Sequence, residues 1–298
     1  MWFRNLQIYH LDQPWTLSPG GLEQVLAEHP LQPCPPLAMT SRGFVAPGVT
    51  PALVESLDRH LLFALGMERK LLPASVVADR ANVFAAEFEK SRGVKPGRKL
   101  QREFKDRATS ELLPRAFARR RVVRVWIDAA HARLIADSPS PTPAEEATET
   151  LRDALGELAL SLPTPDRAPD EILSGWLRDG AAPAGFLLGE ECELTGPDET
   201  RPTLRYQRHP LQTKEIQQHL ADGFHVTKLA LTWRERVSFV VDHKLQIKRV
   251  HFLGIDESND SPELNPEERF AAEFALMAGN CTALLDELLP ALGVAAAG

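Results

Sequence analysis

The first residues already commit to a conformation. MWFRNLQIYHL alternates apolar and polar positions, which predicts a strand over residues 3–11 with Phe3, Leu6, Ile8 and Leu11 facing inward. Ser18-Pro19 joins a capping hydroxyl to a proline at the first helical position, so a helix is expected through Leu22, Val25 and Leu26 to His29. The proline-rich stretch 30–36 ends it. Residues 43–47 and 60–68 are expected to be strands.

Over residues 73–91 the apolar positions Val77, Ala81, Phe84 and Phe88 recur at helical spacing. Gly93 and Pro96-Gly97 break this helix, and a second one follows over 98–113 with Leu100, Phe104 and Ala108 on its apolar side. At about 100° per residue, Arg98, Arg102 and Lys105 fall together on the opposite side as a basic stripe. Residues 122–129 and 132–137 form a predicted hairpin. A helix capped by Thr142, with Pro143 first and Glu145 completing a capping box, is expected to carry Leu151, Leu155 and Leu158. Residues 162–169 (LPTPDRAP) are the best linker candidate. A soft subdomain boundary is placed near 163–170, between a basic N-terminal region (residues 1–165) and a C-terminal region (residues 166–298) with an acidic terminal helix.

Beyond it come a short helix through Ile172 and Leu177, a strand at 185–189, a loop marked by Gly196-Pro197 and Arg201-Pro202, and a helix near 213–221. Strands at 226–233, 237–242 and 245–253 follow. The last helix bears Phe270, Phe274, Met277, Cys281, Leu284 and Leu288 at spacings of 4 and 3, a core or interface seam. Strands cluster without regular β-α alternation. The expected class is α+β with mainly antiparallel sheets and flanking helices.

Composition adds three constraints. No apolar run approaches the ~20 residues of a membrane span. The N-terminus lacks a secretory h-region, and the three distant cysteines Cys34, Cys192 and Cys281 suit a reducing compartment, so a cytoplasmic location is expected. The net charge of −7 argues at first against nucleic acid, but the charge is segregated. Residues 90–124 hold thirteen bases and three acids, net +10, which leaves −17 for the rest. Residues 254–298 alone carry nine acids against Arg269. Such polarity suits one face for a polyanion and another that repels it. The plainer reading is a solvated helix face balanced by acids elsewhere.

Catalytic signatures are missing. Gly93-Val-Lys-Pro-Gly97-Arg-Lys99 departs from phosphate-loop spacing and follows a helix. The histidines show no metal-ligand spacing, and His131 and His243 are expected at solvated turns. A Mg²⁺-dependent nuclease is the rival to test, because Asp128, Asp137 and Asp242 sit near strand ends. Strand-end aspartates more often cap turns. Trp126 and Trp233 lie in apolar strands and are expected in the core, not on a stacking platform. A third reading is a protein-interaction module whose basic stripe meets an acidic partner. No cofactor is implied.

Several blocks in order along the whole chain resemble the recombination-associated RdgC family: MWFRNLQIYHL, ERKLLPASVV (68–77), LLPRAF (112–117), WIDAAHARLIAD (126–137), GFLL (185–188), TKLALTWRERVSFV (227–240) and FAAEFALMAGNCTALLDELL (270–289). The resemblance implies crescent-shaped monomers closing into a ring homodimer around double-stranded DNA, with single-stranded DNA a weaker ligand. It also implies a non-enzymatic role in restraining the RecA-type recombinase. Phe117 matches a family position at a dimer contact, the alternative being a buried helix-end aromatic. Arg208 and His209 match a basic-polar pair at a DNA-facing fingertip, with Arg205 and Lys214 beside them. A histidine there weakens its contact as pH rises past ~6.5. Lys95, Arg98, Lys99, Arg102 and Lys105, with Arg119, Arg120 and Arg121, complete the expected phosphate contacts. The arginine triplet is more basic than the family usually is there.

Overall fold

The computed structural model describes residues 1–255 and 264–295. Its strands are β1 (Asn5–Leu11), β2 (Thr40–Val45), β3 (Glu55–Leu57), β4 (His60–Lys70), β5 (Ala118–Asp128), β6 (Arg133–Ala136), β7 (Leu160–Ser161), β8 (Phe186–Thr195), β9 (Thr203–Gln207), β10 (His225–Trp233), β11 (Val237–Asp242) and β12 (Ile247–Phe252). The helices are α1 (Pro19–Ala27), α2 (Ala74–Arg92), α3 (Arg98–Leu112), α4 (Pro141–Leu155), α5 (Pro169–Asp179), α6 (Lys214–Ala221) and α7 (Pro266–Ala291). A 3₁₀ turn at Leu113–Arg115 links α3 to β5. The class is α+β, with the strands hydrogen-bonded in the order β2-β4-β5-β6-β1-β12-β11-β10-β8-β9. Strand neighbours in this order run antiparallel.

β1 joins the two halves of this sheet. Gln7 to His10 pair with β6, while Asn5 and Leu6 pair with Lys248 and Ile247 of β12. His10 and Leu11 also pair with β7. The Asp137 carboxylate pins the splice by accepting from the Asn5 backbone N–H at 2.9 Å and the Arg4 N–H at 3.2 Å. Burial pushes this carboxyl's pKa up, and those hydrogen bonds pull it part of the way back.

Alternation along β1 feeds two cores. Phe3, Leu6 and Ile8 enter a cluster that also holds Leu62, Trp126, Leu229, Trp233 and the apolar stripe of α7. Tyr9 and Leu11 enter a second one, covered by Leu22 and Leu26 of α1 and Leu151 of α4. β1 is therefore buried on both faces, where the sequence pattern suggested one. Burial pushes the Tyr9 hydroxyl up to about 12, with Glu145 adding to the shift. The first core draws residues from both sides of the proline-rich stretch at 162–169, and β7, just before that stretch, pairs with β1.

Helix ends largely follow local chemistry. Ser18 caps α1 through the Gly21 N–H at 3.1 Å, and Asn265 with Glu268 forms a reciprocal capping box on α7. α4 is a correction: it begins slightly earlier than expected, with Ser140 at the cap and Pro141 first. Thr142 lies inside the helix and no side-chain cap is made. The proline at 141 preorganises that start as well as Pro143 would have. Gly43 on β2 is required sterically, since a Cβ there would overlap the backbone of Leu31, which crosses it closely.

Leu6 is fully buried at the splice. Leu6→Ala is expected to lower stability by about 2–5 kcal/mol, read as a fall in the urea midpoint. An unchanged midpoint would show that the splice does not hold the halves together.

Candidate nucleic-acid interface

The basic stripe sits on a helical hairpin with its own small core. Ala81, Phe84 and Ala108 are buried together, with Val77 and Phe104 packed against them. Gly93 closes α2 in the left-handed region at φ 72°, which a side chain would resist. Two of the hairpin's arginines have structural roles. Arg80 forms a forked ion pair with Glu111, its Nη2 lying 2.7 Å from Oε1. Arg80 and Arg107 both stack on the Phe84 ring, 4.6 and 4.2 Å from its centroid.

Lys95, Arg98, Lys99, Arg102 and Lys105 are all exposed, and no ion pair engages them among the described residues. Arg98 and Lys99 occupy the first turn of α3, which contains no acid. Cations there oppose the helix dipole. An anion docked on this end would relieve that opposition.

The arginine triplet extends the hairpin's charge onto the sheet. Arg119, Arg120 and Arg121 open β5 and are exposed. They line a half-open groove of about 1230 Å³ at the ends of β2, β4 and β5. The register brings up bases that sequence reasoning missed: Arg69 lies opposite Arg119, and Arg42 lies opposite Met67, itself opposite Arg121. Arg42 and Arg69 stand alone in the sequence, so only strand pairing reveals them.

A second basic group lies at the far edge, seven strand steps from β5, about 34 Å along the sheet at ~4.8 Å per strand. Arg205 on β9 is already held by Glu193 at 2.7 Å, and Lys228 binds the same carboxylate at 2.9 Å. Burial alone would push the Glu193 carboxyl up, but these two cations outweigh it and hold its pKa below the ordinary range. Arg208 is exposed, with a left-handed φ of 52° at the strand end. His209 has Nδ1 2.8 Å from the Pro210 carbonyl oxygen and its ring 5.5 Å from Tyr206. Lys214 opens α6 and is exposed. Strand β9 itself was missed, because TLRYQ lies between loop signals and its alternation is short.

Phe117 is 84% exposed, which removes the reading of a buried helix-end aromatic. Its carbonyl accepts from the N–H of Leu71, another exposed apolar residue. Trp126 and Trp233 are core anchors, as expected.

The strand-end aspartates are turn and anchor residues. Asp128 is fully buried and accepts from the N–H groups of Ala130 and His131 and from Thr282 Oγ1 on α7. His131 is not simply solvated: Nδ1 lies 2.9 Å from Asp128 and Nε2 3.5 Å from Asp286. Asp242 accepts from the N–H groups of Lys244 and Gln246 and pairs with Lys248 at 3.2 Å. Among the described residues no three His, Cys, Asp or Glu side chains gather in a way that could hold a metal ion. Of the acids counted in the C-terminal segment, Asp256, Glu257, Asp260 and Glu263 lie outside the described residues.

Comparison with known proteins agrees along the full length. A family model described as "Putative exonuclease, RdgC" matches residues 1–295. A recombination-associated protein RdgC from Dechloromonas aromatica (strain RCB) is 42% identical over 298 residues, covering 98% of both chains. Proteins of the same name from Cupriavidus pinatubonensis and Janthinobacterium sp. (strain Marseille) are 42% and 40% identical over 294 residues, again covering 98% of each chain. Fold, sequence blocks and relatives converge, and the chain belongs to the RdgC family, whose members are named for their association with recombination.

Proposed function

We propose that this protein binds double-stranded DNA without reading its sequence, as a ring-shaped homodimer, and thereby restrains recombination driven by a RecA-type recombinase. The observation that carries this reading is the set of exposed bases left without ion-pair partners on α3 and at the start of β5, within a chain of net charge −7. Lysine and arginine in such a position displace counterions from phosphates, which drives affinity and carries no base information. The acidic remainder keeps other faces off the polyanion. Single-stranded DNA is a weaker ligand in this scheme, because no exposed row of aromatic rings accompanies the bases as a stacking platform among the described residues. The protein acts in the cytoplasm, on the nucleoid.

Two basic groups about seven strands apart on one sheet give each protomer two points of contact with a duplex. Phe117 supplies one self-contact, since an exposed phenyl ring beside exposed Leu71 gains from being covered. A two-fold ring needs a second, separate self-complementary contact.

The family model's description raises exonuclease action as a second reading. We place no covalent step here. Asp128, Asp137 and Asp242, the carboxylates best sited for metal, are already committed to backbone N–H groups, a hydroxyl and a lysine. Incubating end-labelled duplex with the protein and Mg²⁺ is expected to return full-length strands, and protein-dependent shortening would establish the nuclease instead.

Duplex affinity is expected to fall by about tenfold or more between ~50 and 200 mM salt, with a log–log slope corresponding to several phosphates. A flat response would remove the electrostatic reading. The triple variant Arg98→Gln, Arg102→Gln, Lys105→Gln is expected to weaken binding uniformly across sequences and to reduce the salt slope. At the far edge, Arg208→Gln should weaken binding more than Arg205→Gln, because Glu193 already occupies Arg205. Sedimentation of Phe117→Ala is expected to show a lighter species than the parent at equal concentration, and an unchanged mass would remove Phe117 from the dimer contact.

A further inference from the structure

The groove beside β4 and β5 holds more positive charge than its own fold compensates. Arg69 and Arg119 stand directly opposite one another in the antiparallel register. Arg121, two residues along β5, shares their face. Like charges directly opposed across a sheet destabilise it. Among the described residues no ion pair or side-chain hydrogen bond engages these three guanidinium groups. Their neighbour Arg42, by contrast, is reached by Glu149 and Asp153 of α4 at 3.6 and 3.8 Å.

Two further features add to the same sign. The starts of α2 and α4 both border the groove, through Pro73 and through Thr142 and Pro143. Neither helix has a side-chain cap or an acid in its first turn, so both leave N–H groups and a positive dipole end for an anion. Glu68 and Glu146 are the acids on the lining. Met39, Leu71, Leu72 and Pro143 supply an apolar wall that phosphate contacts alone do not need. The volume of this half-open groove, about 1230 Å³, lies a little above the range of small-ligand sites, roughly 300 to 1,000 Å³.

We propose that this groove binds a nucleoside bearing a terminal phosphate group with at least two charges. The phosphates lie on Arg69, Arg119 and Arg121, and the base lies against Leu72 and Pro143. A free nucleoside triphosphate and the 5′-phosphorylated end of a DNA strand both present that chemistry. The site borrows two arginines from the duplex surface but does not rest on duplex binding, since its ligand enters a pocket instead of lying along the stripe of α3.

Calorimetric titration of the full-length protein at physiological salt tests this with four probes: ATP, adenosine, and a short single strand carrying either a 5′-phosphate or a 5′-hydroxyl. ATP is expected to bind saturably where adenosine does not, and the double variant Arg119→Gln, Arg121→Gln should weaken it at least about tenfold. A strand preferred at least about tenfold for its 5′-phosphate assigns the ligand to strand ends. Strands that bind alike while ATP still binds assign it to free nucleotides. ATP binding no better than adenosine, together with indistinguishable strands, overturns the proposal. So does an equal loss of ATP affinity in Arg102→Gln, Lys105→Gln, which leaves the groove intact. Melting curves give an independent readout of the single variant Arg119→Gln. Without ligand its melting temperature should rise, because the opposed pair is relieved, and the rise that ATP confers on the parent should disappear; an ATP-induced rise equal to the parent's contradicts the site. ATP binding without duplex binding would remove the proposed function and leave this site, and the reverse would remove the site alone.

Discussion

Two residue pairs, Asn5 with Lys248 and Leu6 with Ile247, hold the sheet together as one object. On one side of them β1 pairs with β6 and through it reaches β5 and β4; on the other, β12 leads to β11, β10, β8 and β9. So short a seam could not hold by hydrogen bonds alone, since each contributes only about 1 kcal/mol net. Burial supplies the rest. Leu6 and Ile8 enter the core shared with α7, Tyr9 and Leu11 enter the core under α1 and α4, and Asp137 ties the backbone of Arg4 and Asn5. Helix α7 braces the same seam from one side, with Thr282 bonded to Asp128 and Asp286 to Arg133, while Glu287 takes the Trp233 indole N–H. The spacing of the two basic groups follows from this construction, because each sits near an opposite end of the strand order.

Charge placement is the second constraint. In an ordinary surface, arginines and lysines on a helix find acids three or four residues away. On α3 they do not, although Glu103 and Asp106 are near in sequence, and at the start of β5 three arginines stand together exposed. Such an arrangement lowers the stability of the isolated chain, and an external polyanion would offset it. The bases that are engaged, such as Arg80, Arg107 on the inner side of α3, and Arg205, show that this fold pairs or stacks its cations where they serve structure.

Much of this was legible in the sequence because the relevant signals are local. Helical spacing marked α2 and α3, Ser18-Pro19 marked α1, and α7 was marked by its 4-and-3 stripe, all six residues of which are in the core. The α3 stripe follows from spacing alone. What depends on register did not show. Arg42 and Arg69 join the arginine triplet only because β2, β4 and β5 pair as they do. β9 is too short to declare itself between two loop signals, and α4 starts at Ser140-Pro141, two residues before the Thr142-Pro143 cap that the local pattern predicts. Exposure of Phe117 likewise depends on where the 3₁₀ turn delivers the chain to β5, a tertiary matter that an apolar residue's identity does not reveal.

The central claim is that the basic surface closes around duplex DNA in a dimer instead of merely adhering to it. Preformed complexes on covalently closed circular DNA and on the same DNA linearised, both challenged with high salt, test that claim most directly. High salt removes the phosphate contacts on both substrates alike, so only topology can then hold the protein in place. Encirclement predicts that protein stays on the circle and slides off the linear ends. Equal loss from both would contradict encirclement and reduce the interaction to an open electrostatic contact.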